Sequence, residues 1–328
     1  MDYNYIYNMK TAVLYTGALR TIQKTIGYFK RHVLIHPDVH VFACLQNDSP
    51  HSIIEIEKWL QYELSPHLVS LHWFDIQDHS EFIILREKNL NVTTLSNQWK
   101  DYLRNSGSIL EYLQLHQVYK QLYLREQIHT MNYDYIIRMR PDNMFAKPID
   151  FHWLHWTEQE IEARVQKIQE QMKHDGIECN PESTLSYFMN TMLDDSLIQN
   201  IKLITGQFIK NKRVPIPSTT KELQDYIQHG SYILTYRANN LYIVRREWFH
   251  MIPSIFCMYG LLKRTFDDPY WFNAENHFQA ACIHSGLAIH DYNTLFEDKS
   301  LYEYDEKKYF DEHCKIINPM MVYCLVRR

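Results

Sequence analysis

The sequence predicts an α/β protein with a mostly parallel central sheet flanked by helices, and with a helical insertion. Short apolar runs at residues 12–15 and 40–45 have the length of buried strands, and a helix-like segment lies between them. Strands that alternate with helices are typical of a parallel sheet. A third observation is the stretch 133–145, in which a buried-type strand runs directly into charged residues.

The first 150 residues contain a repeated pattern of strand and helix. The predicted strands cover residues 12–15, 40–45, 68–73 and 135–137. The first helix runs to about residue 29, and Ser49 and Pro50 are predicted to be the N-cap and first residue of the second. A longer third helix precedes the fourth strand. This order, β-α-β-α-β-α-β, corresponds to half of a doubly wound fold.

The composition of the chain becomes more polar and more helical in pattern after Pro148. A polar helix over residues 157–176 suggests that 151–230 is a helical insertion or lid. Strand character returns at residues 231–236 and 239–244 and again at 286–290. We therefore predict boundaries that give five segments: 1–9, 10–150, 151–230, 231–295 and 296–328.

Composition excludes several classes of protein. The 34 basic and 39 acidic residues give a formal charge of −5, which argues against a nucleic-acid partner. The 6 cysteines form no C-x-x-C pair, so neither a disulfide framework nor a zinc site is indicated. The sequence shows no signal peptide and no long apolar span, and we expect a cytoplasmic protein without a membrane span. Nothing in the sequence indicates an oligomeric state.

The charged strand end at 133–145 is the strongest candidate site. Ligands of open α/β sheets bind outside the carboxyl ends of the strands, so Arg138, Arg140 and Asp142 are expected at the rim of a site. The alternative is an ion pair that merely closes the strand end.

Gly17 lies at the first strand-to-helix turn, where a ligand can approach the backbone closely. Neither G-x-G-x-x-G nor G-K-[ST] is present, so a dinucleotide fingerprint and a P-loop are both absent. Arg20, three residues further on, can reach a diphosphate or can be a solvated helix residue.

Glu275 stands in the first turn of a predicted helix that follows a cluster of aromatic residues and aspartates. A glutamate in this position commonly complements the helix dipole. Because Glu275 follows a cluster of aromatic residues, the segment also matches a sugar-binding surface with one polar side chain.

Taken together, the segments T-G-A-L-R at 16–20 and Y-D-Y-I-I-R-M-R-P-D at 133–142 resemble GT-A-type glycosyltransferases. Bacterial and large-virus members that read Y-D-Y-x-I-R-x-R-x-D are the most similar in pattern. The resemblance covers about residues 10–150 and 230–295. It implies a GT-A-like, Rossmann-like fold. The similarity to large-virus members adds the expectation of a virus-encoded enzyme that acts in the host cytoplasm.

The resemblance also implies a metal. GT-A enzymes carry Asp-x-Asp after the fourth strand, and its carboxylates hold a divalent cation on the donor diphosphate. In this chain Asp142 matches the second acid, whereas Arg140 replaces the first, which puts metal dependence in doubt. His290 falls where GT-A enzymes often place another ligand of Mn²⁺ or Mg²⁺. Arg140 can instead neutralise the diphosphate directly.

Glycosyl transfer needs stabilisation of the leaving diphosphate, which a metal cation or a guanidinium supplies, and an inverting enzyme also needs a carboxylate base at the acceptor hydroxyl. Glu275 is the candidate base, with Asp268 in reserve, and Trp271 and Asn276 are expected on the acceptor side. The candidate donor-binding residues are Thr16, Gly17, Arg20, Asp48, Asp75, Arg138, Arg140 and Asp142.

We therefore predict an enzyme that moves a sugar from a UDP- or GDP-linked donor to a glycan acceptor. Residues 10–150 would bind the nucleotide sugar and 231–295 the acceptor. The alternative is a non-catalytic nucleotide- or carbohydrate-binding protein on the same scaffold. A sugar nucleotidyltransferase is disfavoured because the first turn is too poor in glycine.

Overall fold

A computed structural model describes residues 9–92, 96–105, 107–204, 207–237, 240–250, 274–292 and 323–325. Most of the predicted extension at 1–9 and tail at 296–328 lies outside these ranges. Among the helices within them, none combines the length and the apolar character needed to cross a membrane.

The first half of the chain follows the predicted order of elements. It begins with β1 (Thr11–Ala18), α1 (Ile22–His32), β2 (Val39–Gln46), α2 (Ile53–Leu64) and β3 (Leu68–Trp73). A 3₁₀ helix at Ile76–His79 precedes α3 (Ser80–Val92), α4 (Asn97–Asn105), α5 (Gly107–His129) and β4 (Tyr135–Met139). The sequence predicted one helix between β3 and β4, because the apolar residues of α3 at 82–84 are adjacent and do not repeat at helical spacing.

The second half adds helices and the remaining strands. After β5 (Asn143–Phe145) come a 3₁₀ helix (His152–His155), α6 (Glu158–His174), α7 (Pro181–Asn190), a 3₁₀ helix (Asp195–Leu203), β6 (Gln207–Ile209) and α8 (Thr220–His229). These are followed by β7 (Tyr232–Arg237), β8 (Leu241–Arg245), α9 (Arg246–Phe249), α10 (Ala274–His284), β9 (Ala288–Asp291) and β10 (Tyr323–Leu325). The region 151–230 is therefore mainly helical, and it also supplies β6 to the sheet.

Eight strands form one sheet in the order β3-β2-β1-β4-β8-β7-β9-β6, and β10 pairs separately with β5. The pairs β1–β2, β2–β3, β1–β4 and β7–β9 are parallel. The pairs β4–β8, β7–β8 and β6–β9 are antiparallel. The predicted fold class, an α/β architecture with a mostly parallel central sheet flanked by helices, is confirmed.

Helices cover both faces of β1. Val13 and Tyr15 join the core that contains α1 and α2, whereas Ala12 and Leu14 join the core that contains α5. All four side chains are fully buried, as expected for the interior of a parallel sheet. Helices that follow β1 and β2 therefore lie on one face, and the helix that leads to β4 lies on the other, which is a doubly wound arrangement.

The start of α2 differs from the prediction. Its N-cap is Ser52, whose hydroxyl accepts from the Glu55 amide at 3.3 Å while the Glu55 carboxylate accepts from the Ser52 amide at 3.2 Å. Ser49 instead donates its amide to Asn47 Oδ1 at 3.0 Å. The reciprocal capping box satisfies two amide donors at once, which explains why Ser52 and not Ser49 begins the helix.

Candidate active site

Two loops meet at the carboxyl ends of β1 and β4. Because β2 and β3 lie on one side of β1 and β4 lies on the other, the strand order reverses between β1 and β4. A crevice at such a reversal is where open α/β sheets bind ligands. Arg20 follows β1, and Arg140 and Asp142 follow β4, so these three predicted residues come together at that reversal of strand order.

Asp142 is the centre of the cluster, and its side chain is 1% exposed. Arg20 Nη1 donates to Asp142 Oδ2 at 2.8 Å. Arg140 binds the same carboxylate with two groups: Nε donates to Oδ1 at 3.1 Å and Nη2 to Oδ2 at 3.0 Å. The ion pair that the sequence allowed at this strand end is therefore formed, and it reaches across to the loop after β1.

Glu111 of α5 and Asn240 support the arginines. Arg140 Nη1 lies 2.5 Å from Glu111 Oε1, and Arg138 Nη2 lies 3.7 Å from Glu111 Oε2. Arg138 Nη1 donates to the Asn240 carbonyl at 2.9 Å. Burial lowers the pKa of the Arg138 guanidinium, and the Glu111 carboxylate opposes this shift.

Sequence reasoning did not select Glu111 or Asn240. They lie 29 and 100 positions from Arg140, so no local pattern joins them to it. One signal for Glu111 was present, since it is an acid between the apolar Leu110 and Tyr112 at the start of a helix. An acid in that setting usually needs a buried partner.

The loop between β1 and α1 has an unusual backbone. Gly17 has φ +135° and Arg20 has φ +41°. A positive φ at a residue other than glycine is strained, and such strain is found at ligand-binding sites more than elsewhere. The Arg20 amide donates to Asp48 Oδ1 at 2.9 Å, which fixes the loop. In α1, the first turn contains no acidic residue and the Thr21 side chain makes no capping hydrogen bond.

Gly17→Ala is expected to lower the free energy of unfolding by about 2–5 kcal/mol, because strain and crowding both act at this position. A Cβ would lie 3.2 Å from Pro141 Cδ and 3.5 Å from Arg140 Cγ, in addition to the unfavourable φ. Urea unfolding measures the loss. Gly176→Ala is the matched control, because Gly176 has φ +70° but no atom within 4 Å of the added Cβ. Equal losses in the two variants would show that the contact with Pro141 contributes nothing.

The other donor-side candidates lie at different distances from the cluster. Thr16 is fully buried, and in the part of the chain described here its hydroxyl has no hydrogen-bond partner. Asp48 is exposed and joins the cluster through the Arg20 amide. Asp75 is exposed after β3, two strands from β1, and caps a 3₁₀ helix by accepting from the Gln77 amide at 2.9 Å.

The acceptor-side candidates are described in part. Glu275 and Asn276 are exposed in the first turn of α10. Desolvation alone would lower the pKa of the Arg140 guanidinium, but nearby carboxylates, that of Glu275 among them, raise it above its usual value. Glu275 is therefore close enough to Arg140 for their charges to interact. Asp268 and Trp271 lie outside the described residues.

The structure does not bring the two metal-ligand candidates together. Asp142 follows β4, whereas His290 belongs to β9, and β8 and β7 lie between these strands. His290 is buried, and its Nε2 lies 2.9 Å from the Tyr226 hydroxyl. Burial lowers the pKa of His290 to about 3, so its ring is neutral in the core.

The residues around Asp142 do not fit a divalent cation. Both carboxylate oxygens of Asp142 already accept from guanidinium groups, whose positive charge would repel a metal at the same oxygens. Across the described ranges, no three His, Cys, Asp or Glu side chains are grouped so that they could hold a metal ion.

No protein-family model matches the chain, and no curated protein matches it either. Among solved structures, the chain is similar to a core-mannan synthase and a mannosyltransferase. The first is core-mannan synthase A (CmsA/Ktr4) from Aspergillus fumigatus in its Mn/GDP form, at 13% identity and a TM-score of 0.30, covering 87% of this chain and 68% of that one. The second is the mannosyltransferase Ktr4p from S. cerevisiae in complex with GDP, at 13% identity and a TM-score of 0.33, covering 87% and 69%.

Proposed function

We propose that the protein is a glycosyltransferase that moves a sugar from a nucleoside-diphosphate donor to a carbohydrate hydroxyl. The main observation that supports this proposal is that Arg20 and Arg140 both contact Asp142 where the strand order reverses between β1 and β4. Nucleotides bind at such reversals in open α/β sheets, and guanidinium groups match the geometry of phosphate oxygens.

The donor end of the site has the charge that the reaction requires. Transfer breaks the bond between the anomeric carbon of the sugar and a diphosphate oxygen, and the electron pair stays with the departing diphosphate. Fixed positive groups at that oxygen stabilise the transition state. Arg20, which directly precedes the N-cap of α1, supplies such a group.

The acceptor end is assigned to Glu275. In this proposal its carboxylate, which is exposed and interacts electrostatically with Arg140, takes the proton of the acceptor hydroxyl while the hydroxyl oxygen bonds to the anomeric carbon. Asn276 is its neighbour on α10, and we assign Asp268 and Trp271 to the same side as a reserve acid and an aromatic contact.

A donor panel tests this proposal. We expect the purified protein, given UDP- or GDP-linked sugars and carbohydrate acceptors, to release the nucleoside diphosphate and form a glycosylated product with at least one combination. Release of UDP and GDP is measured by coupled assay and the product by mass spectrometry. Absence of turnover with every donor and acceptor would reject the enzyme.

The second candidate is a non-catalytic nucleotide- or carbohydrate-binding protein. The observation in its favour is that Arg140 is engaged within the protein by both Asp142 and Glu111. A thermal-shift screen separates the outcomes, since a ligand at about 100 times its Kd stabilises the folded state by about 2.7 kcal/mol. Stabilisation by UDP or GDP without any turnover would support this candidate.

A further inference from the structure

We propose that the diphosphate end of this site works without a divalent cation, and that the Arg20 guanidinium supplies the positive charge there. This inference rests on the proposed function, because it takes a nucleoside diphosphate as the ligand. It departs from the resemblance described above, which implied two carboxylates and a metal after the fourth strand.

The first step is that Asp142 is buried and that its carboxylate is already contacted by two arginines. Its Oδ2 accepts from Arg20 Nη1 at 2.8 Å and from Arg140 Nη2 at 3.0 Å, while its Oδ1 accepts from Arg140 Nε at 3.1 Å. Mg²⁺ binds carboxylate oxygens at about 2.0–2.1 Å in a nearly octahedral shell. A cation there would lie beside the guanidinium groups on a carboxylate that is 1% exposed, so charge repulsion disfavours it.

The second step is the charge at Asp142. At Asp142 itself, the guanidinium groups of Arg20 and Arg140 contact a single carboxylate, while the carboxylates of Glu111 and Glu275 act on Arg140. Two guanidinium groups on one carboxylate repel a divalent cation at its oxygens and can attract a diphosphate anion. The protein therefore already contains the counter-charge that a metal would bring.

The third step identifies Arg20 as the residue that meets the ligand. Its side chain is 39% exposed, against 13% for Arg140 and 1% for Arg138. Its backbone is held by Asp48, so the guanidinium can keep its Nη1 bond to Asp142 and offer its other N–H groups to a phosphate oxygen. Arg20 has φ +41°, a backbone conformation that is strained for arginine and unstrained for glycine. An arginine at this position despite the strain is consistent with a functional role for its side chain.

The test is calorimetric titration of UDP and GDP into the full-length protein, in EDTA and again in Mn²⁺ or Mg²⁺. We expect at least one nucleotide to bind in EDTA, with a Kd that metal changes by less than about threefold, a difference under 1 kcal/mol. Arg20→Ala should weaken binding in EDTA by about 10- to 100-fold, because a hydrogen bond to a charged group is lost. The Kd of Arg20→Lys should lie between those of the unsubstituted protein and Arg20→Ala, since lysine keeps the charge but cannot form the bidentate contact of a guanidinium.

Controls keep the test decisive. Arg20→Ala leaves Asp142 paired with Arg140, so the variant should fold, which circular dichroism checks. Arg31→Ala removes the same charge at the other end of α1 and should leave the Kd unchanged. Binding that requires metal would overturn the inference while the proposed function stands, and so would an unchanged Kd in Arg20→Ala. If neither nucleotide binds under either condition, the proposed function and this inference both fall.

Discussion

Asp142→Asn is expected to lower the free energy of unfolding by about 3–5 kcal/mol, the range for breaking a buried ion pair by removing one partner. Asparagine keeps the shape of the side chain but lacks the charge that faces Arg20 and Arg140. Its amide nitrogen would also point donors at guanidinium donors. Urea unfolding followed by tryptophan fluorescence measures the loss. In the folded variant we expect weaker nucleotide binding as well, because the two arginines are no longer held side by side.

Glu126→Gln is the matched control for this substitution. Glu126 is a second buried carboxylate, 3% exposed, and accepts from Arg246 Nε at 2.9 Å and from Arg246 Nη2 at 2.8 Å. It also accepts from the Tyr133 amide, which precedes β4 at the end of that strand opposite to Asp142. Its loss should destabilise the protein to a similar extent without changing the Kd for a nucleotide. An Asp142→Asn protein with unchanged stability and binding would contradict the central place of Asp142 in the site.

Local patterns were sufficient to predict the strands in the first half of the fold. The apolar runs at 12–15 and 40–45 form largely buried strands and the run at 68–73 forms a half-buried edge strand, because each run is too short for a helix. Competition between two similar signals is harder to resolve, as at the start of α2. There Ser49-Pro50 and Ser52 are both plausible caps, and the partner three residues after Ser52 decides the outcome.

The site was predictable where it depends on strand order alone. Arg20, Arg140 and Asp142 follow neighbouring parallel strands, so their meeting follows from the topology. Asn240 was not predictable, because its loop reaches Arg138 only after β8 pairs with β4. The distance of His290 from Asp142 depends on the order of β8, β7 and β9, which the order along the chain does not determine.

Glu275→Gln is expected to lower the rate of sugar transfer by about 100- to 10,000-fold, the range for loss of a general base. Donor binding should stay the same or become slightly tighter, because the substitution removes a negative charge near Arg140 and the donor is an anion. Stability should change by at most about 1 kcal/mol, since an exposed glutamate in a first turn mainly complements the helix dipole. Steady-state kinetics, calorimetry and urea unfolding provide the three measurements.

Glu158→Gln supplies the matched control, because Glu158 is also an exposed glutamate in the first turn of a helix, α6. If Glu275 acts only on the helix dipole, the two variants will lose similar stability and both will transfer sugar normally. If Glu275 is the base, only Glu275→Gln will lose transfer, and it will still bind the donor. A Glu275→Gln protein that loses donor binding together with transfer would place this carboxylate in donor recognition instead.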